Sequence, residues 1–397
     1  MQNSLKLYLE INNTNYIFVV TKSDNQENFK IAYKLVIPFK GIADNRITDY
    51  KNAYYIIKEN IFNIEKALKH TFKEVVLIVD NLSPTFINLS GYKKLNGTQI
   101  QRENITYILN NLKSYVEINE SRKTILHIFN TKFNLDNKKI DNLPIGLFGD
   151  FYSHELSFTL INANDYKNIK NIFDRSGLKI KKVLIKNFIK GAYINDIHKD
   201  YETFFQIRLN KNNSKIFYFE NNSFKFEQTF EFGTEIIVKD IFKITSLKEE
   251  KIKLILRELE INHEKNGHEL IDEKFFENEP LRKIKKKLIY DIAFARIEEI
   301  ADLLIFKNIN LKNYIKFSKV LFLEIDSEPE PLGLGKAFQT IFSKNGQFDL
   351  KFINCLSSTN LVNTANKLVQ FGWNKEVIPM TQTKKSLIGR FFEAIFN

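Results

Sequence analysis

One cysteine, seven prolines and fourteen glycines are few for a chain of 397 residues. The single Cys355 cannot close an internal disulfide, and no histidine or second cysteine stands at ligand spacing around it, which excludes a disulfide-stapled secreted module and a zinc module. The scarcity of Gly and Pro leaves packed elements joined by short loops, with disorder expected only locally. Long apolar runs are missing too: none approaches the ~20 residues needed to cross a bilayer. The first residues, MQNSLKLYLEI, lack the basic and then apolar regions of a secretory leader. A soluble, cytoplasmic body is expected. Catalytic groupings are also lacking. His263 and His268 sit in a Glu- and Lys-rich stretch without a partner at ligand spacing, so they are expected to be solvated. No Ser/His/Asp or Cys/His arrangement can be built. No catalytic residue, no metal site and no enzyme activity are predicted.

What is present is hydrophobic side chain, 43% of the residues, with 36 phenylalanines. A chain of this length and composition is globular and divides into two lobes or more. The formal net charge of +12 raises two partners, nucleic acid and anionic lipid. The charge is scattered. Its one dense run, RKIKKK at 282–287, has no aromatics at the offsets of a nucleic-acid module, so no nucleic acid is expected as a partner.

Periodicity gives an outline of the fold. Residues 4–20 and 28–37 read as a pair of strands around the turn-rich SDNQEN. Residues 51–70 place Tyr54, Ile57, Ile61, Ile64 and Leu68 at helical spacing, and a short buried strand follows at 74–80. Residues 82–162 look like an inserted subdomain, with β-rich ILHIFNTKF and HELSFTLIN around a helix at 100–115. A helix at 165–176, with Asp165 as cap and Gly177 as its left-handed stop, leads into the strand LKIKKVLIK. The second half repeats the logic, with strands at 202–209, 215–219 and 224–230, then helices, then an apolar strand at 319–325. The longest helical pattern runs over 281–306. Its polar face carries the 282–287 run with Arg296, Glu298 and Glu299, and is either a solvated side or a partner-binding one.

Residues 376–385 read as a tether, and residues 386–397, SLIGRFFEAIFN, as an amphipathic helix. Leu387, Ile388, Phe391, Phe392, Ile395 and Phe396 share one half of the wheel, while Gly389, Arg390, Glu393 and Asn397 share the other. So short a helix needs a surface to lie on. Docking on the protein's own core is one possibility. The bulky Phe residues and the Lys384–Lys385 pair, which opposes the helix dipole, point instead to anionic membrane lipid. One such anchor contributes about 5 kcal/mol before ordering costs, so stable attachment calls for several copies acting together.

The stretch 144–185 resembles the bacterial cell-division protein family FtsA, with Gly146, Leu147, Gly149, Gly177 and Leu178 in the family's order. Residues 230–241, with Gly233, Asp240 and Ile241, look like the family's stretch after the second lobe's hairpins. Arg296 with Glu298 and Glu299 resembles its helix that receives the tail of FtsZ. The resemblance implies an α/β, actin-like two-lobed fold with an inserted, SHS2-like subdomain and a terminal amphipathic helix. It implies a first lobe at 1–81 and 163–200, the insert at 82–162, a second lobe at 201–240 and 307–375, and an FtsZ-binding helical subdomain at 241–306. Expected partners are then the FtsZ C-terminal tail, through Arg282, Lys283, Lys285, Lys286, Arg296 and Glu299, a further copy of the chain, and later division proteins. The expected location is the cytoplasmic face of the inner membrane at the septum.

Members of that family bind ATP through two Gly-rich phosphate loops and a Gly-rich adenosine turn. Glycine is needed there because backbone N–H groups must approach phosphate closely. This chain departs at all three positions: Glu10, Asn12 and Asn13 stand at the first, Arg208, Asn210, Lys211 and Asn212 at the second, and Glu324, Asp326 and Glu328 at the third. Side chains there would crowd a triphosphate and the acids would repel it, so no cofactor is expected, although Lys211 offers a charge to a phosphate in rearranged loops. Gly333 and Gly335 are expected to form a turn before a helix at 336–342. The alternatives to a division scaffold with lost nucleotide sites are an ATP-binding actin-like ATPase and a PilM-like pilus assembly factor.

Overall fold

The computed structural model describes residues 5–12, 14–23, 29–38, 42–43, 46–80, 82–258, 269–276, 282–326, 334–346 and 348–377. The chain forms two compact units, residues 1–202, 220–225 and 356–397 in the first, and residues 203–219 and 226–355 in the second.

The first unit opens with an antiparallel meander, β1 (Leu5–Ile11), β2 (Asn15–Ser23) and β3 (Phe29–Pro38). The single strand expected over 4–20 is corrected to two. The Asn12 side chain accepts hydrogen bonds from the N–H groups of Thr14 at 3.0 Å and Asn15 at 2.8 Å, a local turn that competes with strand. The run therefore folds on itself and Leu9 faces Phe18. After the short pair β4 (Ile42–Ala43) and β5 (Arg46–Ile47) comes α1 (Tyr50–Leu68), capped by Asp49, with Ala53, Ile57, Ile61 and Ile64 buried. The apolar, buried residues 75–79 of β6 (Glu74–Val79) pair parallel with β1, as a strand buried on both faces does.

The chain then builds a second sheet from β7 (Thr85–Lys94), α2 (Arg102–Asn119), β8 (Lys123–Leu135), β9 (Lys138–Ile140) and β10 (Phe151–Asn162). β10 lies antiparallel between β7 and β8, and α2 buries Ile105, Ile108 and Val116. α3 (Ala163–Arg175) is capped not by Asp165 but by Asn162, whose side chain accepts from the N–H groups of Asn164 and Asp165. Gly177, at φ 74°, ends it in the left-handed region as expected. β11 (Lys179–Ile185) joins β6 in parallel and α4 (Lys186–Ile197) follows, giving the first sheet the order β11-β6-β1-β2-β3.

The second unit repeats this plan. β12 (Phe204–Asn210), β13 (Ser214–Glu220) and β14 (Ser223–Phe230) form the meander. Asn221 and Asn222 both take positive φ in the two-residue turn of its second hairpin. α5 (Glu235–Thr245), α6 (Glu249–Glu258) and α7 (Lys286–Ala301) come next, then β15 (Val320–Asp326), α8 (Leu334–Gly346) and β16 (Asp349–Phe352). The sheet order is β16-β15-β12-β13-β14, with β15 parallel to both β12 and β16. Each unit thus sets parallel strands beside an antiparallel meander, and the chain is mixed α/β with the sheet plan that an actin-like fold requires twice.

The helix expected over 281–306 is corrected at its start. Residues 282–285 stay outside the helix: the carbonyl of Ile284 accepts from the N–H of Ile271, and Lys285, in extended backbone, bridges Leu270. α7 begins only at Lys286, buries Ile289, Ala293, Ile297 and Ile300, and finishes in a π-helical turn, Asp302–Phe306.

The chain returns to the first unit with α9 (Ser358–Gln370) and β17 (Glu376–Val377). β17 pairs with the middle of β8, so the second sheet reads β17-β8-β10-β7, and Val377 enters the apolar cluster of Ile128, Leu156 and Phe158. Glu376 and Val377, expected to open a tether, are thus strand, and the rest of that expected tether, 378–385, lies outside the described residues. Among the described residues no helix is long and apolar enough to cross a membrane.

Candidate functional site

At the first phosphate-loop position, β1 carries Glu10 to the mouth of the β1–β2 turn, where its carboxylate is buried and accepts from Lys186 Nζ at 2.7 Å. The same ammonium lies 3.4 Å from Asp80, at the end of β6. Lys186 opens α4, so the acid that sequence reasoning singled out is already neutralised by a lysine that it missed. Asn12 spends its side-chain oxygen on the turn, and Asn13 lies outside the described residues.

The second position is the β12–β13 turn. Arg208 Nε donates to Asn210 Oδ1 at 3.0 Å, and the backbone N–H of Asn210 donates to Asn213 at 2.9 Å, which closes the turn. The carbonyls of Asn210 and Lys211 then accept from the N–H groups of Thr234 and Glu235 at 3.0 and 2.9 Å. A helix N-terminus offers free N–H groups to an anion, but at the start of α5 these two are committed to the turn. Gly233 is what lets the chains meet: a Cβ there would overlap both carbonyls. Lys211 and Asn212 are exposed at the tip, with Lys211 Nζ 3.9 Å from Glu235.

At the third position Glu324 is buried on β15, opposite Arg208 in register, and accepts from Gln206 Nε2 at 3.3 Å. Asp326 ends the strand in register with Asn210, and Glu328 lies outside the described residues. Gly335 belongs to α8 itself, which begins two residues earlier than expected. Taken unit by unit, these positions present tied carboxylates and committed N–H groups, a poor fit for a triphosphate. Among the described residues no cluster of His, Cys, Asp and Glu could hold a metal ion.

Sequence reasoning missed a buried ionic network in the first unit. Glu376 accepts from Lys182 Nζ at 2.8 Å and from His127 Nδ1 at 2.6 Å, all three beneath the β8–β17 edge. Burial alone would raise the Glu376 carboxyl, but the Lys182 ammonium and then His127 bring it down to about 2. Deeper in the same sheet His154 Nε2 donates to Asn130 Oδ1 at 2.9 Å, and burial presses its imidazole down to about 3.

The residues expected to meet an acidic tail divide into two groups. Arg282 donates to the carbonyls of Thr245 and Ser246 at 3.0 Å each and so closes the C-terminus of α5. Lys286 pairs with Glu269 at 2.9 Å, and Arg296 with Asp240 and Glu299. Those cations serve the fold. Lys283 and Lys285 are exposed, and so is Lys287, which sequence reasoning left out, beside the half-exposed Leu288. The membrane positions Lys384, Lys385, Leu387, Ile388, Arg390, Phe391, Phe392, Ile395 and Phe396 lie outside the described residues.

No protein-family model matches the chain, and no curated protein matches it in sequence. Similar solved structures include a PilM-PilN type IV pilus biogenesis complex, 9% identical over 92% of this chain and 96% of that one, with a TM-score of 0.49. Others are MreB5 of Spiroplasma citri bound to ADP, at 10%, 92%, 95% and 0.43, and the ethanolamine utilization protein EutJ from Carboxydothermus hydrogenoformans, at 10%, 92%, 89% and 0.40. Such likenesses say nothing of activity, ligand or partner; by its own duplicated sheet order the chain is a mixed α/β protein of actin-like plan.

Proposed function

We propose that this chain is a non-catalytic scaffold of the FtsA kind, a pseudo-ATPase that ties FtsZ filaments to the cytoplasmic face of the inner membrane at the septum and recruits later division proteins. The observation that carries this reading is the mutual commitment of the β12–β13 turn and the first N–H groups of α5 around Gly233. A phosphate would need those donors free. Glu10 held by Lys186 supports the same reading from the first unit. A body without nucleotide chemistry acts through what it holds together. Lys283, Lys285 and Lys287 beside Leu288 suit an acidic, partly apolar tail, and the segregated pattern of 386–397 suits an anionic bilayer. Self-association would multiply both ends by avidity.

Titration calorimetry with ATP and magnesium is expected to show no micromolar binding; a micromolar signal would restore an ATP-binding actin-like ATPase. Deleting residues 386–397 is expected to abolish co-sedimentation with anionic liposomes, and unchanged pelleting would remove the anchor from the reading. A fluorescent fusion is expected at midcell only with that segment present; a pilus-associated pattern would favour the PilM-like alternative.

A further inference from the structure

The first unit contains a cavity of about 380 Å³ between α1 and α3, lined by none of the residues at the three nucleotide-loop positions. Its walls include Lys51, Tyr54 and Tyr55 from α1 and Asn168, Asn171 and Arg175 from α3, and no acidic residue lines it. The Arg175 guanidinium sits 4.5 Å over the Tyr54 ring, and the Tyr55 ring meets Tyr54 at 5.4 Å with a 58° tilt. Neighbouring charges are consumed elsewhere: Asp174 pairs with Lys170, and Asp49 caps α1. Among the described residues neither Lys51 nor Arg175 has a carboxylate partner, and the amides of Asn168 and Asn171 make no hydrogen bond.

We propose that this cavity binds a small ligand that carries one anionic group on one flat ring. The volume falls at the lower end of small-molecule sites. An arginine stacked on an aromatic face has that face satisfied and keeps its in-plane N–H fork for an oxyanion. Lys51 adds a second positive charge across the opening, and two cations without a counter-charge make a local field that an anion cancels. The Tyr55 ring, exposed beside them, gives a flat ligand a surface to stack on. The unbonded amides of Asn168 and Asn171 can donate to or accept from ring substituents. Aromatic wall, fork, point charge and free amides together select a ring with an anion attached, and disfavour either piece alone.

The test uses the full chain and three probes, phenyl phosphate, inorganic phosphate and phenol, followed by ligand-observed NMR at low salt. Phenyl phosphate is expected to bind about tenfold more tightly than inorganic phosphate or phenol. Arg175→Gln should weaken it by about tenfold, Lys51→Gln by a smaller factor, and Lys66→Gln, in the last turn of α1 and outside the cavity lining, not at all. All three positions are exposed, so circular dichroism of each variant should match the parent. The proposal is overturned if phenyl phosphate shows no binding at about 10 mM, if inorganic phosphate binds as well, or if Arg175→Gln leaves the affinity unchanged.

Discussion

Replacing Glu376 by alanine is expected to destabilise the first unit by about 3–5 kcal/mol, the cost of leaving a buried charge without its partner. Lys182 and His127 both point their donors at this one carboxylate, and the site is closed to water, with Glu376 2% exposed and His127 0%. Phe129 stacks on His127 and Phe188 packs against it at a tilt, so no solvent can stand in for the lost acceptor. Urea denaturation followed by circular dichroism reads the effect as a lowered midpoint. The double variant Glu376→Leu with Lys182→Met should recover much of the loss, because two apolar residues of similar size remove the unpaired charge along with the acid. A loss of under about 1 kcal/mol in the single variant would mean that the network is open to water and screened.

The same network sets a pH signature. The folded Glu376 carboxyl titrates at about 2, below the ordinary value of 4.5, so its contribution is complete above 4.5 and disappears as pH falls from there through about 2. His154 adds a second slope. Its folded imidazole refuses a proton down to about 3, while the unfolded chain accepts one below 6.5, so stability falls as pH drops from 6.5 towards 3. Wild type should therefore lose stability across the whole range from 6.5 to 2. Glu376→Ala should keep the His154 slope from 6.5 to 3 and lose only the added fall below 4.5 that the carboxylate supplies.

The second large effect is expected at Gly233. An alanine there would drive its methyl group into the carbonyls of Asn210 and Lys211, and backbone cannot swing aside as a side chain can. A destabilisation of about 3 kcal/mol is expected, the upper end of the usual cost of overpacking, as the N-terminus of α5 is pushed off the β12–β13 turn. Gly335→Ala is the matched control. Its Cβ would meet only the ring of Phe352 at 3.5 Å, an ordinary contact, and alanine is the better helix residue by about 1 kcal/mol. Equal behaviour of the two variants in thermal melts would show that the turn and helix are not held together as described. If Gly233→Ala opens the turn without unfolding the unit, the N–H groups of Thr234 and Glu235 are released, and ATP calorimetry on that variant becomes informative.

Much of the frame was legible because it is local. The apolar run at β6, the buried Ile57, Ile61 and Ile64 of α1 and the left-handed Gly177 each follow from neighbours within a few residues, where period and cap chemistry act. Errors fell where a local alternative competed with the period. Asn12 split an alternating run into two strands, Asn162 took the cap from Asp165, and the bridge of Lys285 to Leu270 delayed α7. Glu376 was misplaced in a tether because its partners stand 194 and 249 residues away in sequence. The lysine that neutralises Glu10 is 176 residues distant. No window of sequence contains either pair.

Sequence by itself determined most of the strand and helix segments, that glycine is missing where the resembled family has two phosphate loops and an adenosine turn, and that 386–397 separates apolar from polar side chains, since each depends only on the order of nearby residues. Tertiary structure alone decided which charges are available. In the basic stretch before α7, Arg282 closes a helix and Lys286 meets an acid, while Lys283 and Lys285 stay exposed. Four neighbouring cations look alike as letters; what differs is the distance to an oxygen elsewhere in the fold, and a hydrogen bond or ion pair depends on that distance and on burial rather than on separation along the chain.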